Sequence, residues 1–191
     1  TNSDITMTDG FVLTALGIGS HVMRVAGAAS NCAFTFHTGT MTAASTFVIP
    51  ANTKSLSITS ATMSMSLDIP TRVAGSTILV RDTSVPTLAF GSQPTIPITV
   101  ETSITSGFTI SAGTASLAVD GCVLSSALDI QTLLPGSTML IKGTLVPNIV
   151  IAAHTNVPIT IEKTTVSATV CGVEFVGALA ASPVTFTDST I

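Results

Sequence analysis

The chain contains no tryptophan and no tyrosine, and only 8% of its residues are charged. Six basic residues against ten acidic ones give a net charge of −4, and the basic residues are scattered. Nothing in the sequence can neutralise a run of phosphates, so we expect no nucleic-acid partner. We also expect no membrane span, because no apolar run approaches the roughly 20 residues that a spanning helix needs.

The residues that usually carry catalysis or bind metals are few and separated. Cys32, Cys122 and Cys171 show no CxxC spacing; buried thiols are favoured over one disulfide plus a free thiol, and a metal site is not expected. His21, His37 and His154 are isolated from one another, and we expect each at the surface or in a loop. The sequence has no G-x-S-x-G elbow, no H-x-x-x-H pair and no phosphate loop. We therefore predict no enzyme activity, no catalytic residue and no cofactor.

What the sequence does have is serine and threonine, 55 of 191 residues, arranged in repeats. Residues 75–101 match residues 136–162 without a gap, at an offset of 61 residues. A shorter unit lies inside this repeat, an octad whose starts from Phe34 to Ile159 are 22, 22, 20, 19, 22 and 20 residues apart. The octads start at Ile5, Phe34, Leu56, Ile78, Ile98, Leu117, Met139, Ile159 and Val184.

Each octad has the pattern of a strand with one buried face. Positions 1 and 3 are apolar in every octad, position 8 is apolar except at Thr105, and positions 5 and 6 are mostly small or turn-forming. Alternation with period two indicates a strand. We predict a second short strand midway between octads, at residues 47–49, 67–69, 88–90, 108–110, 128–130 and 149–151.

A rung of about 20 residues with two or three short strands is typical of a parallel β-solenoid, or β-helix. In architecture the rung spacing over residues 34–167 resembles that of right-handed parallel β-helix proteins of the pectin-lyase-like type. An antiparallel β-sandwich or jelly roll is the alternative, because strands every ~10 residues suit it too. We expect one all-β domain over residues 1–191, with regular rungs at 34–167 and atypical caps or arms at 1–33 and 168–191.

Position 4 of the octads supports the stacking order independently. In a solenoid its charged residues become vertical neighbours, with Arg81 beside Glu101 and Lys142 between Asp120 and Glu162. Opposite charges on adjacent strands stabilise the pair and like charges destabilise it. The predicted charge ladder on one exposed face is Arg81, Glu101, Asp120, Lys142 and Glu162.

Some apolar residues fall on positions that should point outward. Leu79 and Leu140 occupy position 2, and Ala89 and Val150 lie in the second strand; each pair is separated by the 61-residue repeat. Outward apolar residues at regular intervals indicate a surface that docks against another chain. We take Leu79, Leu140, Ala89 and Val150 as the candidate assembly surface.

Three functional hypotheses follow. The first is a structural subunit of a fibre, filament, surface layer or virus particle, whose partners are copies of itself and other structural proteins of the same assembly. The second is a ligand-binding surface domain, either an adhesin or an ice-binding protein; the threonine column at position 2 suggests the latter, although Leu79, Ala118 and Leu140 interrupt it.

The third hypothesis is an enzyme acting on polysaccharide. The β-helix resemblance implies calcium-binding acids on adjacent rungs, but Asp68 and Asp129 should lie three rungs apart, and no Trp or Tyr offers a sugar-binding platform. We expect an extracellular, cell-surface or virion location, since Thr1 in place of Met is consistent with processing of a secreted or particle protein.

Overall fold

The computed structural model describes residues 5–7, 11–15, 33–43, 47–49, 54–168 and 171–191. Within these residues the secondary structure consists of short strands, and the chain passes through three stacks of strands in each rung. The first stack contains the octad starts. Its strands are β1 (Ile5–Met7), β3 (Ala33–Ala43), β5 (Ser55–Met63), β7 (Ile78–Arg81), β9 (Ile98–Glu101), β11 (Leu117–Asp120), β14 (Met139–Lys142), β17 (Ile159–Glu162) and β20 (Val184–Thr187).

The second stack follows a sharp bend after octad position 5, and the third stack contains the midway strands. The second is built from β2 (Phe11–Ala15), the C-terminal halves of β3 and β5, the N-terminal parts of β8 (Ser84–Phe90) and β10 (Ile104–Ile110), β12 (Val123–Leu124), β15 (Leu145–Val146) and β18 (Thr165–Val166). The third is built from β4 (Phe47–Val48), β6 (Leu67–Ile69), the C-terminal parts of β8 and β10, β13 (Leu128–Ile130), β16 (Ile149–Thr155) and β19 (Val173–Ala180).

Each strand pairs with the equivalent strand of the next rung, and the pairings between described strands are all parallel. In the first stack octad position 1 always lies against position 1, as where Leu56 pairs with Ile78 and Ile78 with Ile98. The prediction of a parallel β-solenoid is confirmed, and parallel pairing excludes the antiparallel sandwich. The midway strands predicted from the sequence also form.

Stacking in register creates continuous apolar columns inside the solenoid. The predicted column at position 1 is confirmed, because none of its members is more than 3% exposed: Leu56, Ile78, Ile98, Leu117, Met139 and Ile159. At position 3, Phe36, Ile58, Val80, Val100, Val119, Ile141 and Ile161 are completely buried. Burying each such side chain stabilises the fold by about 1.5–3 kcal/mol relative to exposure, so both columns contribute strongly to the stability of the solenoid.

The bend between the first and second stacks has the same backbone geometry in every described rung. Octad position 5 has a positive φ, between 45° at Thr102 and 63° at Gly121. The left-handed conformation reverses the direction of the chain within one residue, and it strains any residue other than glycine. The residues are Thr38, Ser60, Asp82, Thr102, Gly121, Gly143, Lys163 and Asp188.

From Thr83 to Thr164, octad position 6, just after the bend, places a small hydroxyl or thiol side chain in the interior. The hydroxyls of Thr83, Ser103 and Thr144 each donate to the carbonyl two residues earlier, at 2.9, 2.8 and 3.0 Å. Cys122 occupies the same position, 1% exposed, with Sγ 3.5 Å from the Asp120 carbonyl. These bonds give the buried polar groups at the bend their partners, as burial requires.

A second buried polar column runs along the corner that follows the third stack. Three of its backbone N–H groups donate to a side chain of the next rung: Arg72 N–H to Gln93 Oε1 at 3.1 Å, Gln93 N–H to Thr114 Oγ1 at 3.3 Å, and Leu133 N–H to His154 Nε2 at 3.1 Å. The column is joined by a parallel bridge between Thr114 and Leu133. His154 is 1% exposed within β16, so the expectation that it lies at the surface or in a loop is wrong.

Arg72, the first described member of this column, places its guanidinium in the interior. Its side chain is 3% exposed, and within the described part of the chain its three guanidinium nitrogens have no hydrogen-bond partner. Burial lowers the pKa of Arg72 to about 10, so the group is still charged at neutral pH. A buried, unpaired charge costs several kcal/mol. Gln93 occupies the same position one rung away, and its side-chain amide has a partner there: Nε2 donates to the Pro70 carbonyl at 2.9 Å.

Replacing Arg72 with the residue that follows it in the column should therefore stabilise the protein. We expect Arg72→Gln to raise the free energy of unfolding by about 1–2 kcal/mol, because it removes the buried charge. Thermal and urea unfolding measure the change. Arg81→Gln is the matched control and should not stabilise, since the Arg81 guanidinium is exposed and paired with Glu101. A lower melting temperature for Arg72→Gln would mean that the guanidinium has an acceptor outside the described residues.

His154 should make stability depend on pH. Its Nδ1 donates to the Ala152 carbonyl while Nε2 accepts from Leu133 N–H, so the buried ring is neutral. Burial lowers the pKa of His154 below its ordinary value. At a pH between the folded-state and unfolded-state pKa values, the unfolded chain therefore binds a proton at His154 that the folded chain does not bind. The stability that the neutral His154 contributes is fully present above about pH 6.5, and it is lost as the pH falls from there toward the folded-state pKa.

The variant that tests this dependence is His154→Gln, because glutamine keeps a donor and an acceptor, as Gln93 does in the same column. We expect the melting temperature of the wild type to fall more steeply between pH 7 and pH 5 than that of His154→Gln. If the melting temperatures of the two proteins fall by the same amount between pH 7 and pH 5, His154 is not the source of the pH dependence.

Candidate assembly surface

The outer face of the first stack carries the charged residues of octad position 4. The register places Arg81 beside Glu101, Glu101 beside Asp120, Asp120 beside Lys142 and Lys142 beside Glu162. The side chains are exposed or half-buried. The five residues of the charge ladder are therefore vertical neighbours on adjacent rungs.

The charge ladder contains one close ion pair. Arg81 Nε lies 2.5 Å from Glu101 Oε2. Glu162 pairs with Lys163 at 3.5 Å, a residue at the bend of its own rung. Among the described residues no other ion pair lies within 4 Å, so Lys142 interacts with Asp120 and Glu162 at longer range. At an exposed face such interactions are weak and screened by salt.

The four predicted assembly residues lie on outward positions but are each half-buried. Leu79 stands between Ser57 and Thr99, and Leu140 between Ala118 and Thr160. In the third stack, Ala89 stands between Asp68 and Thr109, and Val150 between Asp129 and Glu174. Polar or small neighbours separate these residues, so they do not form one continuous apolar surface.

A more exposed apolar ladder lies on the second stack, at octad position 7. Ile104 is 58% exposed, Val123 42% and Leu145 43%. The three residues occupy successive rungs, since Ile104 pairs with Val123 and Val123 with Leu145. We call them the side ladder. Ser84 precedes it and Thr165 follows it in the same column. The signal is present in the sequence, as three successive octads with an apolar residue at position 7, but the octad pattern assigns no orientation to that position.

The last described rung exposes a second apolar surface. Val173, Phe175, Leu179 and Val184 are only partly buried against the core. Val176 is 53% exposed, Phe186 44% and Ile191 59%. Phe186 occupies octad position 3, which is completely buried in the rungs beneath it. Exposed apolar residues that continue a buried column indicate a surface that another element can cover.

The described residues offer little catalytic or metal-binding chemistry. They contain no group of three or more His, Cys, Asp or Glu that could hold a metal ion. Asp68 and Asp129 are separated in their column by Ala89 and Thr109, three rungs apart. His37 is exposed, with Nδ1 2.6 Å from the Thr59 hydroxyl. His21 and Cys32 lie outside the described residues.

Cys122 and Cys171 are both free thiols, one buried and one exposed. Burial raises the pKa of Cys122 to about 11, so that this thiol is protonated and packs as a small apolar group. In the described ranges, no helix has the length and hydropathy needed to cross a membrane.

Comparison with known proteins returned nothing: no family model, no curated protein and no solved structure matches the chain.

The charge ladder predicts a cost for reversing its central charge. Lys142→Glu would place four acidic side chains on consecutive rungs, from Glu101 to Glu162. Each like-charge pair of adjacent strands costs up to about 1 kcal/mol, and we expect a loss of about 1 kcal/mol in unfolding free energy at low salt. Lys142→Gln adds no repulsion and should lose less unfolding free energy than Lys142→Glu. Added salt should narrow the difference in stability between these two variants. If Lys142→Glu and the wild type have the same melting temperature at low salt, the predicted repulsion along the charge ladder is wrong.

Proposed function

We propose that this protein is a structural subunit that associates with copies of itself, in a fibre or filament, a surface layer or a virus particle outside the cell. The observation that carries the proposal is the apolar surface of the last described rung. Among the described residues, strands β19 and β20 pair on one side only, with β16 and β17, and they expose Val176 and Phe186. Unpaired strand edges with exposed apolar side chains favour pairing with another chain.

Low charge supports the same proposal. Proteins that remain monomeric usually protect strand edges with charged residues, especially lysine, or with proline. Within β19 and β20 the one charged residue is Glu174, and Pro183 and Asp188 flank β20. A chain in which 8% of residues are charged also has weak self-repulsion. Little therefore opposes contact between copies.

The geometry gives less support to the alternatives. A flat threonine array for ice binding would need an unbroken column at position 2, but half-buried Leu79, Ala118 and Leu140 interrupt it. A calcium-dependent polysaccharide enzyme would need acids on adjacent rungs, and Asp68 and Asp129 are three rungs apart.

Sedimentation of the purified chain over a wide concentration range tests the proposal. We expect species larger than the 19.3 kDa monomer whose proportion grows with concentration, with little change on adding salt because apolar contacts dominate. Circular dichroism confirms strand content, and negative-stain microscopy shows whether the species are regular. A folded monomer at every concentration would refute self-association.

A further inference from the structure

The two ends of the described solenoid present free strand edges. At one end β1 and β2 pair with β3, and among the described residues no strand lies against their other edge. At the other end β20 pairs with β17 and β19 with β16, again on one side only. Because all strands are parallel and wind in one direction, the free edge of the last rung has the hydrogen-bonding pattern that the free edge of the first rung requires.

The octad register specifies how these edges would meet. Ile5 pairs with Phe34 and Val184 pairs with Ile159, so both terminal strands follow the rule that position 1 lies against position 1. Extending the rule by one step places Val184 of one copy on Ile5 of the next, Thr185 on Thr6, and Phe186 on Met7. Apolar residues thus meet apolar residues at positions 1 and 3, as they do between the buried rungs.

We propose that copies of this chain stack head to tail, with β20 of one copy extending the first stack of the next through β1. This inference rests on the proposed function and names the surface and orientation that self-association uses. The contact continues the columns beneath it, so Phe186 gains the burial that position 3 has in the other rungs. A contact between two different ends does not close on itself, so repeating it produces a filament that grows along the solenoid axis.

Covalent capture tests the orientation directly. Thr6 and Thr185 are both exposed, and eight rung steps separate them within one chain, about 38 Å at the usual strand spacing, so they cannot join within a monomer. Each would be replaced by cysteine in its own variant, in a Cys32→Ser and Cys171→Ser background that removes competing thiols. Neighbouring parallel strands bring such side chains close to the Cβ separation that a disulfide needs.

Mixing Thr6→Cys with Thr185→Cys under mild oxidation should give a cross-linked dimer that contains one copy of each, and neither variant should form one alone. The matched control is Thr160→Cys, which has the same octad position one rung inside the stack and pairs with Thr185 within the chain; mixed with Thr6→Cys, it should give none. Cross-linked dimers of Thr185→Cys with itself would instead show that two C-terminal ends meet, which overturns the head-to-tail orientation.

Two glutamate substitutions separate this inference from the proposed function. Phe186→Glu places a charge on the end contact and should raise the concentration needed for assembly at least roughly tenfold, whereas Val123→Glu, on the side ladder, should leave it unchanged. If Val123→Glu alone disperses the assemblies, self-association stands and head-to-tail stacking is wrong. If the parent chain is a monomer, both the proposed function and the stacking are wrong.

Discussion

Backbone hydrogen bonding between rungs is the constraint on which the rest of this structure depends. A rung makes few bonds within itself; its N–H and C=O groups bond to the rungs before and after it, as where Asp82 N–H reaches the Glu101 carbonyl and Gly121 N–H the Lys142 carbonyl. Buried backbone groups must be paired, so each rung has to follow the path of its neighbours. Side chains of like position are then brought about 4.8 Å apart, and a sequence that keeps apolar residues at positions 1 and 3 builds the core of the described rungs from short strands.

The corners are the points at which this rule is hardest to satisfy, and the interior polar residues lie there. After the left-handed residue of each bend, the hydroxyl at position 6 bonds to the carbonyl two residues earlier, as in Thr164 and Ser189. At the opposite corner the side chains of Gln93 and His154 accept the N–H groups of Arg72 and Leu133, one rung away. Serine, threonine, glutamine and neutral histidine all suit this task because they can accept a hydrogen bond. Arginine cannot accept a hydrogen bond, and Arg72 is the first member of the column among the described residues.

The solenoid and its register could be predicted from the sequence because they depend on periodicity, which is a local property. Octad spacing identified the rungs, and the order of charges from Arg81 to Glu162 follows from the spacing alone. The corners could not be predicted. Whether His154 points inward depends on the turn that precedes it, and no pattern in a single rung distinguishes it from exposed His37. Thr105, the one polar residue at position 8, is buried with its hydroxyl 2.8 Å from the Gly107 carbonyl. The side ladder could not be predicted because the octad pattern assigns no orientation to position 7, which lies between the bend and the apolar position 8.

The bonds that build the fold also determine what its ends can do. In a closed β-barrel every strand has two partners, whereas a stack of rungs has a first and a last member whose outer edges stay open. In this chain the last described rung has no described strand on its outer side: Val184 and Phe186 keep the octad pattern, yet Phe186 is 44% exposed, whereas position 3 is completely buried from Phe36 to Ile161. An edge of this kind keeps the apolar residues of the interior and carries few charges to oppose contact. Under the proposed head-to-tail stacking, another rung of the same pattern covers it, and folding and self-association use the same interaction, first within the chain and afterwards between chains.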